Sequence, residues 1–236
     1  MSKDESPDVS KHIAEGIRLL RSKRKEHLDL LQEILSADES RLFGVDLVVL
    51  AVMHRSLSLM DGFVLMLEHR NPLCAAPLIR LQIDSIMRLY ACCLVDEPHS
   101  IALKLLEGTP LNKIKSRDGR PLRDAHLREK LSEIYPWVSR VYQKTSEFIH
   151  LSRPHMLAPV TAVDEHDTPV EMWVGSLGPQ WPERKIVEAI NAFTEATSSL
   201  LHLCSSWLAT KEKVARERTA AKDGAPVGDR DDRPQD

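Results

Sequence analysis

Tyr142, Ser146 and His150 follow one another at intervals of four residues, with His150 close to the C-terminal end of a predicted helix. On a helix this spacing places a phenol, a hydroxyl and an imidazole on one face. A histidine oriented by a neighbouring hydroxyl can act as a general acid, a general base or a ligand. We therefore predict catalytic roles for His150, Ser146 and Tyr142. The alternative is a buried polar network in which each group has a partner on a neighbouring helix.

Pro154 is predicted to end this helix, because proline disfavours the helical conformation of the residue before it. His150 and His155 then lie on either side of the helix end, and Arg153 lies beside them. We expect Arg153 and His155 to bind a ligand at the same site. Metal binding by these histidines together with His166 is a weaker alternative, because no ligand spacing marks it. We predict no metal and no cofactor.

Arg80 and Asp84 are four residues apart in an apolar stretch that reads as a central helix. Burying an arginine costs free energy unless an acceptor accompanies it. One interpretation is an ion pair, either with Asp84 on the same helix or with Glu147 on a neighbouring one. The other is an arginine presented to a phosphate or carboxylate of a ligand. The same two interpretations apply to His54 and Arg55, and the predicted ligand-binding residues of this part are Arg80, Asp84 and His54.

Residues 113–123 are rich in lysine and arginine and contain the turn signal Asp118-Gly119. A basic segment can bind nucleic acid, but this one has no interleaved aromatic residues on which bases could stack. We therefore favour a solvated loop. The sequence has no glycine-rich phosphate loop, no His-Glu-x-x-His and no Gly-x-Ser-x-Gly, and we find no DNA-binding motif.

The elements that must position these residues are helices. The 236 residues are 42% apolar and 28% charged, with a formal net charge of -3, which is ordinary usage for a globular protein and gives no overall attraction to polyanions. Four cysteines without a Cys-x-x-Cys pair, and an N-terminus without an apolar signal core, predict a cytoplasmic protein with reduced thiols. We expect no membrane insertion, because His54 and Arg55 interrupt the longest apolar stretch.

Hydrophobic periodicity predicts an all-α fold, a bundle of about six to seven helices of which two or three are long core helices. A small β-hairpin or ordered loop is expected near 159–176. Residues 1–213 form a single bundle domain in this interpretation, and residues 214–236 form a disordered charged tail. The predicted helices are 10–36, 39–69, 73–95, 99–107, 122–134, 137–151 and a last one that enters at Trp181-Pro182-Glu183 and ends near Lys213.

Several stretches between residues 45 and 210 resemble a family of uncharacterised bacterial helical proteins. These stretches are His54-Arg-Ser56, Arg70-Asn-Pro72, Leu78 to Asp84, Lys113-Ile-Lys115 with Asp118-Gly119, and Tyr142-x-x-x-Ser146-x-x-x-His150-x-Ser152. The arrangement is also distantly similar to HEPN-type helical bundles of prokaryotic defence systems. Many of those are dimeric, metal-independent RNases with an Arg-x(4–6)-His motif, in which the histidine acts on the ribose 2′-OH and the arginine holds the phosphate. Here neither Arg140 with His150 nor Arg153 with His155 has that spacing.

The sequence supports two functional hypotheses, and it leaves open whether a reaction is catalysed. The first is a HEPN-like homodimer that binds or cleaves RNA or a nucleotide at a pocket of arginine, tyrosine, serine and histidine side chains. The second is a non-enzymatic dimeric interaction or scaffold protein, favoured by the apolar excess on the long helices.

Overall fold

The computed structural model describes residues 7–69, 71–157, 160–163, 170–172 and 182–223. The predicted all-α class is confirmed, since these residues form eight α-helices and one pair of short strands. Arg70, His166, Trp181 and residues 224–236 lie outside the described part. The helices are α1 (Pro7–Ser40), α2 (Gly44–Glu68), α3 (Pro72–Tyr90), α4 (Pro98–Leu106), α5 (Asp124–Ile134), α6 (Trp137–Ser146), α7 (Arg153–Leu157) and α8 (Glu183–Asp223).

Helix α3 lies at the centre of the bundle and packs against α2, α5, α6 and α8. Its buried apolar side chains include Ile79, Ile83, Ile86 and Met87, whereas Arg80, Asp84 and Arg88 recur every four residues as a polar stripe on one face. Phe63 of α2 stacks on Phe193 of α8 with ring centroids 4.4 Å apart, and both rings are completely buried. Truncating either ring to alanine would cost about 3–5 kcal/mol, so this contact is central to the cohesion of α2 and α8.

Helix α2 is long and apolar enough to cross a membrane by length and composition alone. Of its most apolar stretch, 44% is buried inside the bundle. Its solvent face nevertheless carries Leu47, Leu50 and Leu65, each at least 40% exposed. Exposed apolar surfaces of this kind commonly mark a site of interaction with another molecule.

Near the end of α1 the chain is sharply kinked at residues 37–39, where the sequence predicts the break between the first two helices. Ala37 leaves the helical conformation, and Asp38 and Glu39 adopt left-handed backbone angles with φ of 54° and 58°. Non-glycine residues adopt this conformation only where the surroundings hold them. Arg218 of α8 supplies the restraint, because its Nη1 donates to both carboxylate oxygens of Asp38 at 2.8 Å.

The predicted disorder from residue 214 is wrong for residues 214–223. Helix α8 continues through Asp223 instead of ending near Lys213. The reason is tertiary, since Arg218 pairs with Asp38 and the buried Lys211 donates to the Ile34 carbonyl at 2.7 Å and to Asp46 at 3.1 Å. Composition alone favoured disorder here, because the segment lacks an apolar periodicity of its own.

Strands β1 (Val160–Val163) and β2 (Val170–Met172) form the predicted hairpin. They pair antiparallel, with Val160 opposite Met172 and Val163 opposite Val170, and the register shifts between Val160 and Ala162. The hairpin separates the short helix α7 from the long helix α8.

Candidate functional site

The predicted face of Tyr142, Ser146 and His150 does not form. Helix α6 ends at Ser146, and the amides of Phe148 and Ile149 then make three-residue turns to the carbonyls of Thr145 and Ser146. His150 therefore lies beyond the helix, and its side chain is exposed. The Ser146 hydroxyl donates to the Tyr142 carbonyl at 2.7 Å, a local bond that weakens the end of a helix.

Pro154 also acts differently from the prediction. It lies in the first turn of α7, where the fixed φ of proline is tolerated, instead of closing the helix before it. In this turn His155 lies with its Nδ1 3.5 Å from the Ser152 hydroxyl and its ring against the edge of Phe148, while Arg153 is exposed. His54 is likewise exposed on α2. Within the described residues, no hydrogen bond or ring contact joins His54, His150 and His155, and His166 lies outside them.

Arg80 has the most distinctive surroundings of the predicted residues. Its guanidinium carbon lies 3.6 Å from the centroid of the Tyr142 ring, and its Nη2 donates to the Tyr142 hydroxyl. Arg128 of α5 lies over the same ring at 4.9 Å. Both guanidiniums lie within cation–π distance of the ring, which attracts them electrostatically.

Asp84 lies within ion-pair distance of three arginines. It accepts from Arg55 of α2 at 2.9 Å and pairs with Arg88 at 2.8 Å, and it lies 4.0 Å from a nitrogen of Arg80. Asp124 of α5 accepts from Arg88 at 2.8 Å and from Arg80 at 3.5 Å. The predicted partner Glu147 does not hold Arg80; Asp124 and Tyr142 take its place. We call this set the arginine cluster: Arg55, Arg80, Arg88, Arg128, Asp84, Asp124 and Tyr142.

The arginine cluster has a buried base and an accessible rim. The side chains of Arg80 and Asp84 are 12% and 14% exposed, whereas those of Arg55 and Asp124 are 40% and 43% exposed. Burial opposes the charged form of Arg88, but the carboxylates of Asp84 and Asp124 outweigh it and raise the pKa of its guanidinium. The cluster contains four guanidiniums and two carboxylates, and within it the guanidinium of Arg128 contacts only the Tyr142 ring. It therefore carries an excess of positive charge in a chain of net negative charge.

A second polar group joins the loop before α5 to the helix itself. Ser116 donates to Asp118, and its Oγ lies 2.7 Å from the Arg120 carbonyl and 3.2 Å from Nε2 of His126. The combination of serine, histidine and aspartate has the composition of a catalytic triad. Its geometry is different, because Asp118 approaches the same ring nitrogen as Ser116, at 3.7 Å, and the buried Nδ1 of His126 has no hydrogen-bond partner among the described residues.

The basic loop is therefore ordered by this group and not merely solvated. The hydrogen bond from Ser116 lowers the pKa of Asp118, and Gly119 supplies the positive φ of 79° that the turn requires. Arg120 forms a two-pronged ion pair with Glu129 at 2.9 and 2.8 Å. The Asp118-Gly119 signal located this turn from sequence, but no spacing pointed to His126 as its buried support.

A third network lies completely inside the core. Nδ1 of His27 is 2.7 Å from the Lys23 carbonyl and so carries the proton, which leaves Nε2 to accept from Ser56 at 2.9 Å. Gln82 donates to the Ser56 hydroxyl at 2.6 Å and to that of Thr197 at 3.2 Å. These side chains are 0% exposed, so the serine–histidine pair is inaccessible to a substrate and serves to join α1, α2, α3 and α8.

Two of the four thiols, those of Cys92 and Cys204, are buried. Burial raises the pKa of Cys92 and of Cys204 to about 12. Cys74 and Cys93 are exposed, and desolvation by the surrounding protein raises the pKa of Cys93 as well. Among the described residues no group of three or more histidine, cysteine, aspartate or glutamate side chains is placed to hold a metal ion.

An open groove of about 540 Å³ lies between α1 and α2, lined by Arg21, Arg24, Asp61, Glu68 and apolar residues of α2. The predicted site residues are not part of its lining. Of the predicted site residues, Arg80, Asp84 and Tyr142 do contact one another, in the arginine cluster.

Comparison with protein-family models, with curated proteins and with solved structures finds no match to this chain.

Proposed function

We propose that this protein binds the phosphate of an RNA or a nucleotide at the arginine cluster, as a HEPN-like helical protein of the bacterial cytoplasm with a role in defence. The supporting observation is the excess of guanidinium groups held at the junction of α2, α3, α5 and α6, with Arg55 and Arg88 at 40% and 30% exposure on its rim. Guanidinium groups donate in a planar fork that matches the oxygens of a phosphate.

The fixed base of the cluster makes it a suitable phosphate receptor. Asp84 and the Tyr142 ring hold Arg80 in place before any ligand arrives, so less side-chain entropy is lost on binding. Because Arg55 reaches the cluster from a different helix, its guanidinium and that of Arg88 converge on Asp84 from two sides. Adjacent phosphates of an RNA or of a nucleotide at the rim would each meet one of these two guanidiniums.

Binding is better supported than cleavage. The partners of the cluster's guanidiniums among the described residues are aspartates and a tyrosine, with no histidine among them. An RNase that uses a histidine on the ribose 2′-OH requires an imidazole within hydrogen-bond reach of the same phosphodiester. His150, Ser146 and Tyr142 remain predicted catalytic residues, and His54, Arg153 and His155 remain predicted binding residues that a bound RNA would have to bring together.

The test is binding of ADP and of a short labelled RNA to wild type, Arg55→Gln and Arg88→Gln, by calorimetry and fluorescence anisotropy. Each substitution removes one charge-assisted contact, and we expect affinity to fall about tenfold or more. Arg120→Gln is the matched control, because it removes an exposed arginine that is also paired with a carboxylate. Equal binding by all four proteins, or no binding by wild type, would refute the proposal.

The second candidate function is that of a non-enzymatic dimeric interaction protein. It is favoured by the exposed leucines of α2 and by Leu103 and Leu106 of α4, which are 59% and 72% exposed. Surfaces of this kind on a folded protein commonly mark an interface. The occupant that we consider is a second copy of this chain.

Sedimentation analysis of wild type and Leu50→Glu distinguishes this candidate. We expect a dimer for wild type and a monomer for Leu50→Glu, because a carboxylate would be desolvated in the interface. Leu28→Glu is the control, since Leu28 is a similarly exposed leucine on α1. A wild-type monomer at micromolar concentration, without turnover or binding of any ligand, would count against both candidates.

A further inference from the structure

The two aspartates of the arginine cluster have different surroundings. Asp84 is 14% exposed and lies within ion-pair distance of three arginines, so it is part of the fixed base. Asp124 is 43% exposed and contacts only Arg80 and Arg88 within the cluster. The Nη2 atom of Arg88 lies 2.8 Å from both carboxylates, which places Asp124 on the outer side of the guanidinium.

Asp124 therefore holds the position on Arg88 that a ligand's oxyanion would take. A carboxylate and a phosphate compete for the same guanidinium donors. If Asp124 stayed in place, an arriving phosphate would meet a negative charge at the point where its own charge must be neutralised. Binding at the rim thus requires that Asp124 release Arg88, Arg80 or both.

The position of Asp124 in the chain makes this release inexpensive. It is the first residue of α5, and the preceding Arg123 makes no side-chain hydrogen bond to the first-turn amides. Those amides and the helix dipole favour a carboxylate at the first turn. Once detached from the arginines, Asp124 has acceptable partners on its own helix and in solvent.

We infer that Asp124 is a displaceable carboxylate that occupies the phosphate position of the arginine cluster and lowers its affinity for phosphate ligands. This inference rests on the proposed function, because it concerns the same site. It adds that the free protein is self-paired and that ligand binding exchanges an internal carboxylate for an external phosphate. Asp124 then sets the threshold at which ligand is bound.

The experiment compares inorganic pyrophosphate binding by wild type and Asp124→Asn in calorimetric titrations. We expect Asp124→Asn to bind about tenfold more tightly, because the competing carboxylate is lost while the shape of the side chain is kept. Glu129→Gln is the control, since Glu129 lies on the same helix as Asp124, and its substitution frees Arg120 and changes the net charge equally. Its affinity for pyrophosphate should equal that of wild type.

The outcomes separate the inference from the proposed function. Suppose that wild type binds pyrophosphate and that Arg88→Gln does not. If Asp124→Asn then binds pyrophosphate as tightly as wild type or more weakly, Asp124 is a positioning residue and only the inference fails. If neither wild type nor Asp124→Asn binds pyrophosphate while both melt cooperatively, the proposed function and the inference fail together. Should Asp124→Asn not fold, Asp124→Ser, which keeps a capping hydroxyl at the start of α5, is measured against the same expectations.

Discussion

The imidazoles of His27 and His150 have opposite surroundings, and this contrast decides what each can do. His27 is completely buried and hydrogen-bonded at both ring nitrogens, whereas His150 is exposed beyond the end of α6. A buried, satisfied histidine contributes to stability. An exposed one can contact a ligand without affecting the fold.

We predict that His150→Ala changes the free energy of unfolding by less than about 0.5 kcal/mol, because an exposed side chain outside a helix has few contacts to lose. Urea denaturation of wild type and variant measures this. The result also tests the alternative interpretation of His150 as part of a buried network. A loss of several degrees in melting temperature would favour that network over the exposed position.

We predict an acid-dependent loss of stability from His27. Burial lowers the pKa of its imidazole below the ordinary value of 6.5, so at acidic pH the unfolded chain binds a proton that the folded protein does not. The contribution is complete above the unfolded pKa and is lost as the pH falls from there toward the lowered folded pKa. Denaturation curves between about pH 7.5 and pH 5 should show a steeper decline for wild type than for His27→Gln. Parallel declines would contradict this assignment.

At the scale of elements, side chains of the C-terminal part of α8 form polar contacts that hold the kink near the end of α1. Arg218 holds the left-handed Asp38, whose side chain is only 6% exposed, and Lys211 lies buried beside Asp46. Trp207 adds a hydrogen bond to Asp46 at 2.7 Å. These contacts join the end of α1 and the start of α2 to the C-terminal part of α8, and they account for helix in a segment of disorder-like composition.

We predict that Arg218→Gln lowers the free energy of unfolding by about 2 kcal/mol, since it leaves a largely buried carboxylate without its cation. Arg216→Gln is the control, because Arg216 is exposed on the same turn of α8. Chemical denaturation of both variants provides the comparison. Equal stabilities would mean that the ion pair with Asp38 does not hold the kink.

At the scale of the whole molecule, the formal net charge of -3 opposes nonspecific attraction of polyanions, so the proposed RNA binding would depend on the local excess of positive charge in the arginine cluster. The exposed leucines Leu47, Leu50 and Leu65 lie on the same helix, α2, that supplies Arg55 to the cluster. The two proposed functions, phosphate binding and dimerisation, therefore both involve α2.

We predict a shallow salt dependence for RNA binding. With contacts from Arg55 and Arg88 to two phosphates, the logarithm of the affinity should fall with the logarithm of the salt concentration with a slope of about -1.4. Anisotropy titrations over a series of salt concentrations measure it, and Arg55→Gln should reduce the slope by about 0.7. A slope several times steeper in wild type would indicate a broad basic surface instead of this cluster.

The sequence by itself determined the helical class, the break at Ala37 and Asp38 and the turn at Asp118-Gly119, and it offered the hairpin as one of two alternatives near 159–176. Hydrophobic periodicity, turn residues and β-branched runs act over a few residues, and such local preferences are readable from one chain. The sequence also identified Arg80 and Asp84 as a pair that required an explanation.

Only the tertiary structure decided which groups meet. Arg80 selects Asp124 and Tyr142 and not Glu147, and Arg55 reaches Asp84 from another helix. The end of α6 at Ser146 and the extension of α8 past Lys213 were likewise decided by competing hydrogen bonds and by contacts with distant residues. A helical spacing shows which side chains share a face as long as the helix lasts. Where the helix stops, and which residues of other helices lie opposite, depend on packing free energies that no local pattern contains.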